Sequence, residues 1–299
     1  MDDLPLPTDT EIFQKLKSIP EFPHLANLFF ILPYIIALIG MINIFYRLIQ
    51  IKKKHINPLP SKNIIISLNF SHLILIILIN NLLILSAQLI VRLFYKLPLF
   101  NISEELPGSV NIVIDLIVKI IIILFLLFLI KKLTRHPFKE IGFSRYNLFN
   151  QIKNGILTII SITPILLVII FINSEILRLN QVAPIVKIIF ASSNIYTQIV
   201  MIINIIIISP IAEEILFRYL LNGCLKKELG VWLSIFLGGM IFAALHFDSS
   251  SFLPLAILGI GLSYIYELKR SIIIVIAAHS LFNLASLIML YVIKFLFHN

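Results

Sequence analysis

Cysteine and charged residues are both scarce in this chain. The 299 residues include a single cysteine, Cys224, which cannot form an intrachain disulfide and leaves the redox compartment undecided. Only 13% of the residues are charged and 59% are apolar, whereas a soluble domain has about 25% charged and about 45–50% apolar residues. The composition therefore excludes an ordinary soluble domain and indicates a protein that resides in a membrane.

The apolar residues form runs long enough to cross a bilayer, which requires about 20 residues per helix. Residues 120–130 do not alternate between polar and apolar, as the strands of a membrane barrel would. We therefore predict an all-α fold, a polytopic transmembrane helical bundle of about eight spans. The predicted spans are 26–48, 64–92, 110–130, 152–173, 195–220, 230–247, 252–267 and 271–296.

The predicted organisation has three parts. A polar N-terminal segment at 1–25 lacks a basic start followed by an apolar stretch, so no cleavable signal peptide is expected. N-terminal transmembrane helices follow at 26–194, and a core that carries the chemistry follows at 195–296. Fourteen lysines and arginines fall in predicted loops on one side and seven on the other, which predicts cytoplasmic basic loops and outer termini. The net charge of +9 is thus explained by basic loops that lie beside membrane lipid, and no nucleic-acid partner is expected.

Two adjacent carboxylates, Glu213 and Glu214, lie near the end of the fifth predicted span. Arg218 follows Glu214 by four residues, so the two share a helix face and can pair, while Glu213 points about 100° away. One carboxylate is then held as an anion and the other is left as a general base. The alternative is that the Glu–Arg pair is an ordinary interfacial salt bridge, which is common at helix ends.

Two histidines lie within later predicted spans, each behind a pair of alanines. Gly238-Gly239 precedes His246 by about two turns, and small residues let helices approach closely. His279 and Asn283 are four residues apart and share a helix face. Two imidazoles on different helices, a carboxylate on a third and an amide would suit a hydrolytic metal. A lone histidine in a helical bundle is, alternatively, a hydrogen-bonded structural residue.

Together these residues form three short motifs in chain order. The motifs are Glu213-Glu214-x-x-x-Arg218, Phe242-x-x-x-His246 and His279-x-x-x-Asn283. They resemble the motifs of the CPBP family, the CAAX-protease and bacteriocin-processing (Abi-type) intramembrane metalloproteases, over about 195–290. The resemblance implies an endopeptidase in a bacterial cell membrane that hydrolyses membrane-associated substrates, such as lipidated or bacteriocin-like peptides.

The resemblance also implies a role for each motif residue. Glu213 would activate a water molecule, and Glu214 with Arg218 would support it. His246 and His279 would bind a divalent metal, with zinc as the expected ion, or orient the water. Asn283 would complete the site or stabilise the oxyanion.

Two other functions remain open from the sequence. One is a transporter or permease in which buried Glu and His relay protons, and the other is a catalytically silent immunity or scaffold protein on the same fold. Asp115 and Lys119, four residues apart inside the third predicted span, are read either as a self-neutralising structural pair or as the lining of a substrate cavity.

The predicted spans conflict with a single site. They place Glu213 near the cytoplasmic end of one helix and His246 near the outer end of the next, about 15–20 Å apart in depth. A sunken loop from Gly223 to Gly230, a displaced or re-entrant sixth helix, or span boundaries wrong by several residues would each remove the conflict.

Overall fold

The computed structural model describes residues 108–133, 141–143, 147–173 and 194–298, with isolated residues at 32, 35, 36, 38–43, 82, 86 and 138. The polar N-terminal segment therefore lies outside the described residues. So do most of the first two predicted spans, 26–48 and 64–92.

Every regular element in the described part of the chain is helical. The helices are α1 (Gly108–Leu133), α2 (Leu148–Phe171), α3 (Ile195–Ile203), α4 (Ser209–Glu214), α5 (Asn222–Leu229), α6 (Val231–Ala244), α7 (Ser249–Lys269) and α8 (Ile272–His298). Two π-helical segments, Asn204–Ile208 and Ile215–Leu221, join α3 to α4 and α4 to α5. The prediction of an all-α membrane protein is confirmed.

Five helical segments in these ranges are long and apolar enough to cross a membrane. They are Ile112–Lys132, Leu148–Phe171, Ile195–Leu229, Ser249–Lys269 and Ile272–Val292. The predicted number of eight spans stays a prediction, because the first two fall largely outside the described residues. The sixth predicted span corresponds to α6, whose 14 residues extend about 21 Å and cannot cross a hydrocarbon core of about 30 Å.

The helix that carries the two glutamates is longer than predicted. It runs without interruption from Ile195 to Leu229, so the expected end at 220 and the expected loop after Gly223 are wrong. The polar composition of α5 favoured a loop, but its first five residues, 222–226, are buried. Lys226 points into the protein, where its Nζ lies 3.1 and 3.2 Å from the carboxylate oxygens of Glu267 on α7. This tertiary contact outweighs the local preference.

Gly230 reverses the chain between α5 and α6 with a φ of 80°, a conformation that glycine adopts without strain. The two helices then pack antiparallel. Asn222 faces Gly238, eight residues on either side of Gly230, and Arg218 faces Phe242, twelve residues on either side. Phe242 also contacts the ring of His246, and Arg218 pairs with Glu214, so His246 lies near the depth of the two glutamates. The predicted difference in depth between Glu213 and His246 thus arose because the fifth span was predicted to end too early, at residue 220.

Small residues set the spacing between α6 and α7, as the glycine pair predicted. A Cβ on Gly239 would lie 2.5 Å from the backbone nitrogen of Ile260 and 3.0 Å from the carbonyl carbon of Gly259. On the other side of α7, Gly261 packs against Ile162 of α2. Helix α7 is therefore held between α2 and α6, and its buried face reaches Arg218.

Candidate active site

Glu214 and Arg218 form a fully buried ion pair. Nε of Arg218 donates to Oε2 of Glu214 at 2.7 Å, and its second terminal nitrogen donates to Oε1 at 3.2 Å. Both side chains have 0% exposure, so the pairing predicted from their spacing is present. The remaining terminal nitrogen of Arg218 donates to Oγ of Ser263 on α7 at 3.2 Å. A buried pair of charges is tolerated when its geometry is good and its other donors are used.

His279 connects α8 to both glutamates. Its Nδ1 lies 2.8 Å from Oε1 of Glu214, and its Nε2 lies 3.8 Å from Oε2 of Glu213. Because Glu214 is held as a carboxylate by Arg218, it accepts from His279, which assigns the proton to Nδ1. In a neutral ring, Nε2 is then an acceptor that faces Glu213.

Glu213 differs from its neighbour in its surroundings. Its side chain is 25% exposed, compared with 0% for Glu214. Its Oε2 atom is nevertheless buried and has no hydrogen-bond partner. An unpaired buried carboxylate oxygen is costly, and such a group in a native structure often marks a functional position.

His246 lies just after the end of α6, at the exposed edge of the site. Its Nδ1 is 2.8 Å from the carbonyl oxygen of Phe242, so Nδ1 donates and Nε2 is the free acceptor of a neutral ring. The ring centroid of Phe242 lies 4.9 Å from that of His246 and 5.7 Å from that of His279. The two imidazole centroids therefore cannot be farther apart than the sum of these distances, about 10.6 Å.

Phe242 occupies the centre of this arrangement, a position that sequence reasoning did not assign to it. Its ring packs edge-on against Phe217 at 5.1 Å and lies 4.8 Å from the Arg218 guanidinium. It thus separates the buried ion pair from the exposed His246. Its place in the second motif, four positions before His246, was the available signal.

Asn283 lies one turn after His279 on α8 and contacts the first π-helical segment. Its Nδ2 donates to the carbonyl oxygen of Ile205 at 2.9 Å. This bond uses one of the two amide hydrogens and fixes the plane of the side chain, leaving the second N–H available. The bond to Ile205 was not foreseen from the sequence.

Asp115 and Lys119 pair within α1, and the pair extends further than predicted. Oδ2 of Asp115 accepts from Nζ of Lys119 at 2.7 Å and from Nδ2 of Asn204 at 2.7 Å. Oδ1 of Asn204 accepts from Oγ of Ser209 at 3.3 Å. The signal for Asn204 was a single amide within an apolar run. The resulting network links α1 to the start of the helix that carries Glu213.

The donor chemistry near the glutamates partly suits a metal ion. Both histidines use Nδ1 in a hydrogen bond and leave Nε2 free, as metal-binding histidines do. However, the part of the chain that the structure describes contains no group of three or more His, Cys, Asp or Glu side chains arranged to hold a metal. These residues do not form a complete metal site, and we derive no catalytic step through a metal. The divalent metal stays a prediction.

Comparison with known families finds one match. Residues 195–285 match the family model described as type II CAAX prenyl endopeptidase Rce1-like. The matched range covers about 30% of the chain and includes every residue of the three motifs. The resemblance predicted from those motifs is confirmed over this range. No curated protein and no solved structure matches the chain.

Proposed function

We propose that this protein is an intramembrane endopeptidase that hydrolyses peptide bonds in membrane-associated, lipidated substrates. The observation that carries the proposal is the 3.8 Å spacing between Oε2 of Glu213 and Nε2 of His279. Both atoms are acceptors when Glu213 is ionised and His279 is neutral, and the glutamate oxygen has no partner. The family match over 195–285 supports the same chemistry.

A water molecule satisfies both atoms. It donates one hydrogen to Glu213 and the other to His279, so its lone pairs are directed away from both side chains. The ion pair of Glu214 and Arg218 keeps the His279 ring in the required tautomer. The attacking oxygen is thus oriented before the substrate arrives.

Hydrolysis then proceeds with Glu213 as general base and acid. Glu213 takes one proton from the water, and the water oxygen bonds to the carbonyl carbon of the scissile peptide. The C–N bond breaks as Glu213 returns the proton to the departing nitrogen, which leaves a carboxylic acid and an amine. No other co-reactant is required.

Two further residues complete the proposed site. The free N–H of the Asn283 amide stabilises the negative charge that develops on the carbonyl oxygen. His246 presents its Nε2 at the exposed edge and orients the entering water. Because His246 is exposed and its ring packs against Phe242, it is expected to affect turnover more than stability.

Purified protein in liposomes tests the proposal. The substrate is a fluorogenic peptide with a prenylated cysteine three residues before its C-terminus, and mass spectrometry locates the cleaved bond. We expect cleavage by the natural protein and by Lys153→Gln, a substitution at an exposed lysine of α2, but not by Glu213→Gln. Equal cleavage by Glu213→Gln, or none by the natural protein on lipidated and bacteriocin-like peptides alike, would contradict the proposal.

A further inference from the structure

The network of Asp115, Lys119, Asn204 and Ser209 places a cation inside the membrane-spanning part of the bundle. Lys119 lies within the span Ile112–Lys132, where a charge is costly and is usually retained for a function. The proposed hydrolytic mechanism does not use it. Its role therefore requires a separate explanation.

Exposure separates this pair from the ion pair at the proposed site. The side chains of Lys119 and Asp115 are 25% and 32% exposed, whereas those of Arg218 and Glu214 are 0% exposed. Lys119 also has three ammonium hydrogens, of which the bond to Asp115 uses one. The ammonium group can therefore accept a further anionic ligand.

The network is tied to the helix of the catalytic glutamate. Asn204 binds Asp115 and precedes Glu213 by nine residues, which is at most about 14 Å along the helix. Asn283 donates to Ile205, the next residue, and so lies on the path between the two groups. A peptide of three extended residues spans about 10–11 Å. Because Lys119 binds Asp115 and Asp115 binds Asn204, a tripeptide that extends from Glu213 along this stretch covers most of the distance toward the Lys119 ammonium.

We propose that Lys119 binds the C-terminal carboxylate of the substrate. This inference rests on the proposed function, because the matched family is described by the CAAX motif, a C-terminal tetrapeptide that begins with the lipidated cysteine. Cleavage after that cysteine leaves three residues between the attacked carbonyl and the terminal carboxylate. Asp115 and Asn204 hold the ammonium in place, and the carboxylate of the departing tripeptide completes its coordination.

Two substrates that differ in one group test this site. One is the prenylated peptide with a free C-terminal carboxylate, and the other is the same peptide with a C-terminal carboxamide. For the natural protein we expect the KM for the carboxamide to be about tenfold higher or more, because the carboxamide loses one charge-assisted contact with Lys119. Lys119→Gln should bring the ratio of the two KM values close to one, and Lys153→Gln should keep the natural ratio. A general structural role for Lys119 would change both KM values in parallel.

Asp115→Asn provides a second measurement should Lys119→Gln fail to fold. It keeps a side-chain oxygen that accepts from the Lys119 ammonium and positions it, but removes the negative charge that competes with the substrate carboxylate, so the preference for the free carboxylate should increase. A decrease, or equal KM values for both substrates with the natural protein, would overturn the carboxylate site while leaving the proposed hydrolysis intact. Failure of the natural protein to cleave either substrate would instead contradict the proposed function and this inference with it.

Discussion

Nδ1 of His279 lies 2.8 Å from Oε1 of Glu214, and both side chains are buried. Because this contact occupies Nδ1, only Nε2 of the ring can face Glu213. The orientation of the imidazole is therefore set from the side opposite the substrate. The two adjacent glutamates consequently face different nitrogens of the same ring, Glu214 at Nδ1 and Glu213 at Nε2 of His279.

Glu213→Gln should remove activity without loss of folding. The amide keeps the size of the side chain but cannot take a proton from water, and loss of a general base typically reduces turnover about 10²–10⁴-fold. The partly exposed side chain predicts a change of less than about 1 kcal/mol in the free energy of unfolding. Peptide cleavage and thermal unfolding in detergent measure the two effects. Near-natural turnover would exclude Glu213 as the base.

Arg218→Ala should instead destabilise the protein. It leaves Glu214 as an unpaired charge with 0% exposure, and removal of one partner of a buried pair costs about 3–5 kcal/mol. Reduced yield, a lower unfolding temperature and lost cleavage should occur together. Lys153→Ala on the exposed surface of α2 is the control. A stable but inactive Arg218→Ala protein would indicate that Arg218 binds substrate directly.

Gly239→Val should destabilise the protein through its packing. A side chain at Gly239 collides with the backbone of Gly259 and Ile260, so α6 and α7 must separate and stability should fall by about 1–3 kcal/mol or more. Gly230→Ala tests the turn separately: a Cβ there meets nothing within 4 Å, so its cost, about 1–3 kcal/mol, arises only from a backbone conformation (φ 80°, ψ 172°) that favours glycine. Thermal unfolding measures both losses. Natural stability of Gly239→Val would contradict the close packing of α6 and α7.

A strong chelator should leave cleavage intact under the proposed mechanism. Glu213 and His279 can orient water without a metal, and the described residues contain no complete metal-binding group. The measurement is turnover after 1,10-phenanthroline treatment and dialysis, with elemental analysis of the purified protein. Loss of activity that zinc restores would support the metal predicted from the family resemblance and would require an additional ligand.

Asp248, which begins α7 just outside the span, should make stability depend on pH. Burial alone would raise the pKa of its carboxyl, but hydrogen bonds from Ser251 and Ser250 outweigh this and hold the pKa below its ordinary value of 3.8. Its stabilising effect is therefore present above pH 3.8 and is lost as the pH falls through the lowered pKa. Asp248→Asn keeps the capping oxygen and should remove this dependence, whereas Asp248→Ala should cost about 0.5–2 kcal/mol at neutral pH. Unfolding of the natural protein and both variants, measured from about pH 2 to 5, covers this window. An equal pH dependence in the natural protein and Asp248→Asn would contradict the role of Asp248.

Helical spacing alone was sufficient for part of the candidate site. The four-residue separation of Glu214 and Arg218 predicted their ion pair, and helical geometry placed Asn283 one turn after His279. The contact of His279 with the two glutamates depends on the packing of α8 against α4. Composition does not determine which helices pack together. The motif resemblance, and not the pattern of hydropathy, brought these residues together in the prediction.

Hydropathy failed where tertiary contacts compensate for polar side chains. Residues 222–229 include two lysines and a glutamate, so a loop was expected, but Glu267 neutralises Lys226 inside the protein. The same limit applies to Asn204, whose partner Asp115 lies 89 residues away. Neither contact leaves a periodic signal in the local sequence.

The turn at Gly230 also constrains how this protein can change in length during evolution. Arg218 and Phe242 face each other because equal numbers of residues separate each of them from the turn. Insertion of one residue on only one side of Gly230 would shift these two residues relative to each other by one position and rotate one side chain by about 100°. Insertions or deletions on the two sides of the turn are therefore expected to occur in compensating pairs, or to be absorbed where Ile215–Leu221 already departs from α-helical geometry.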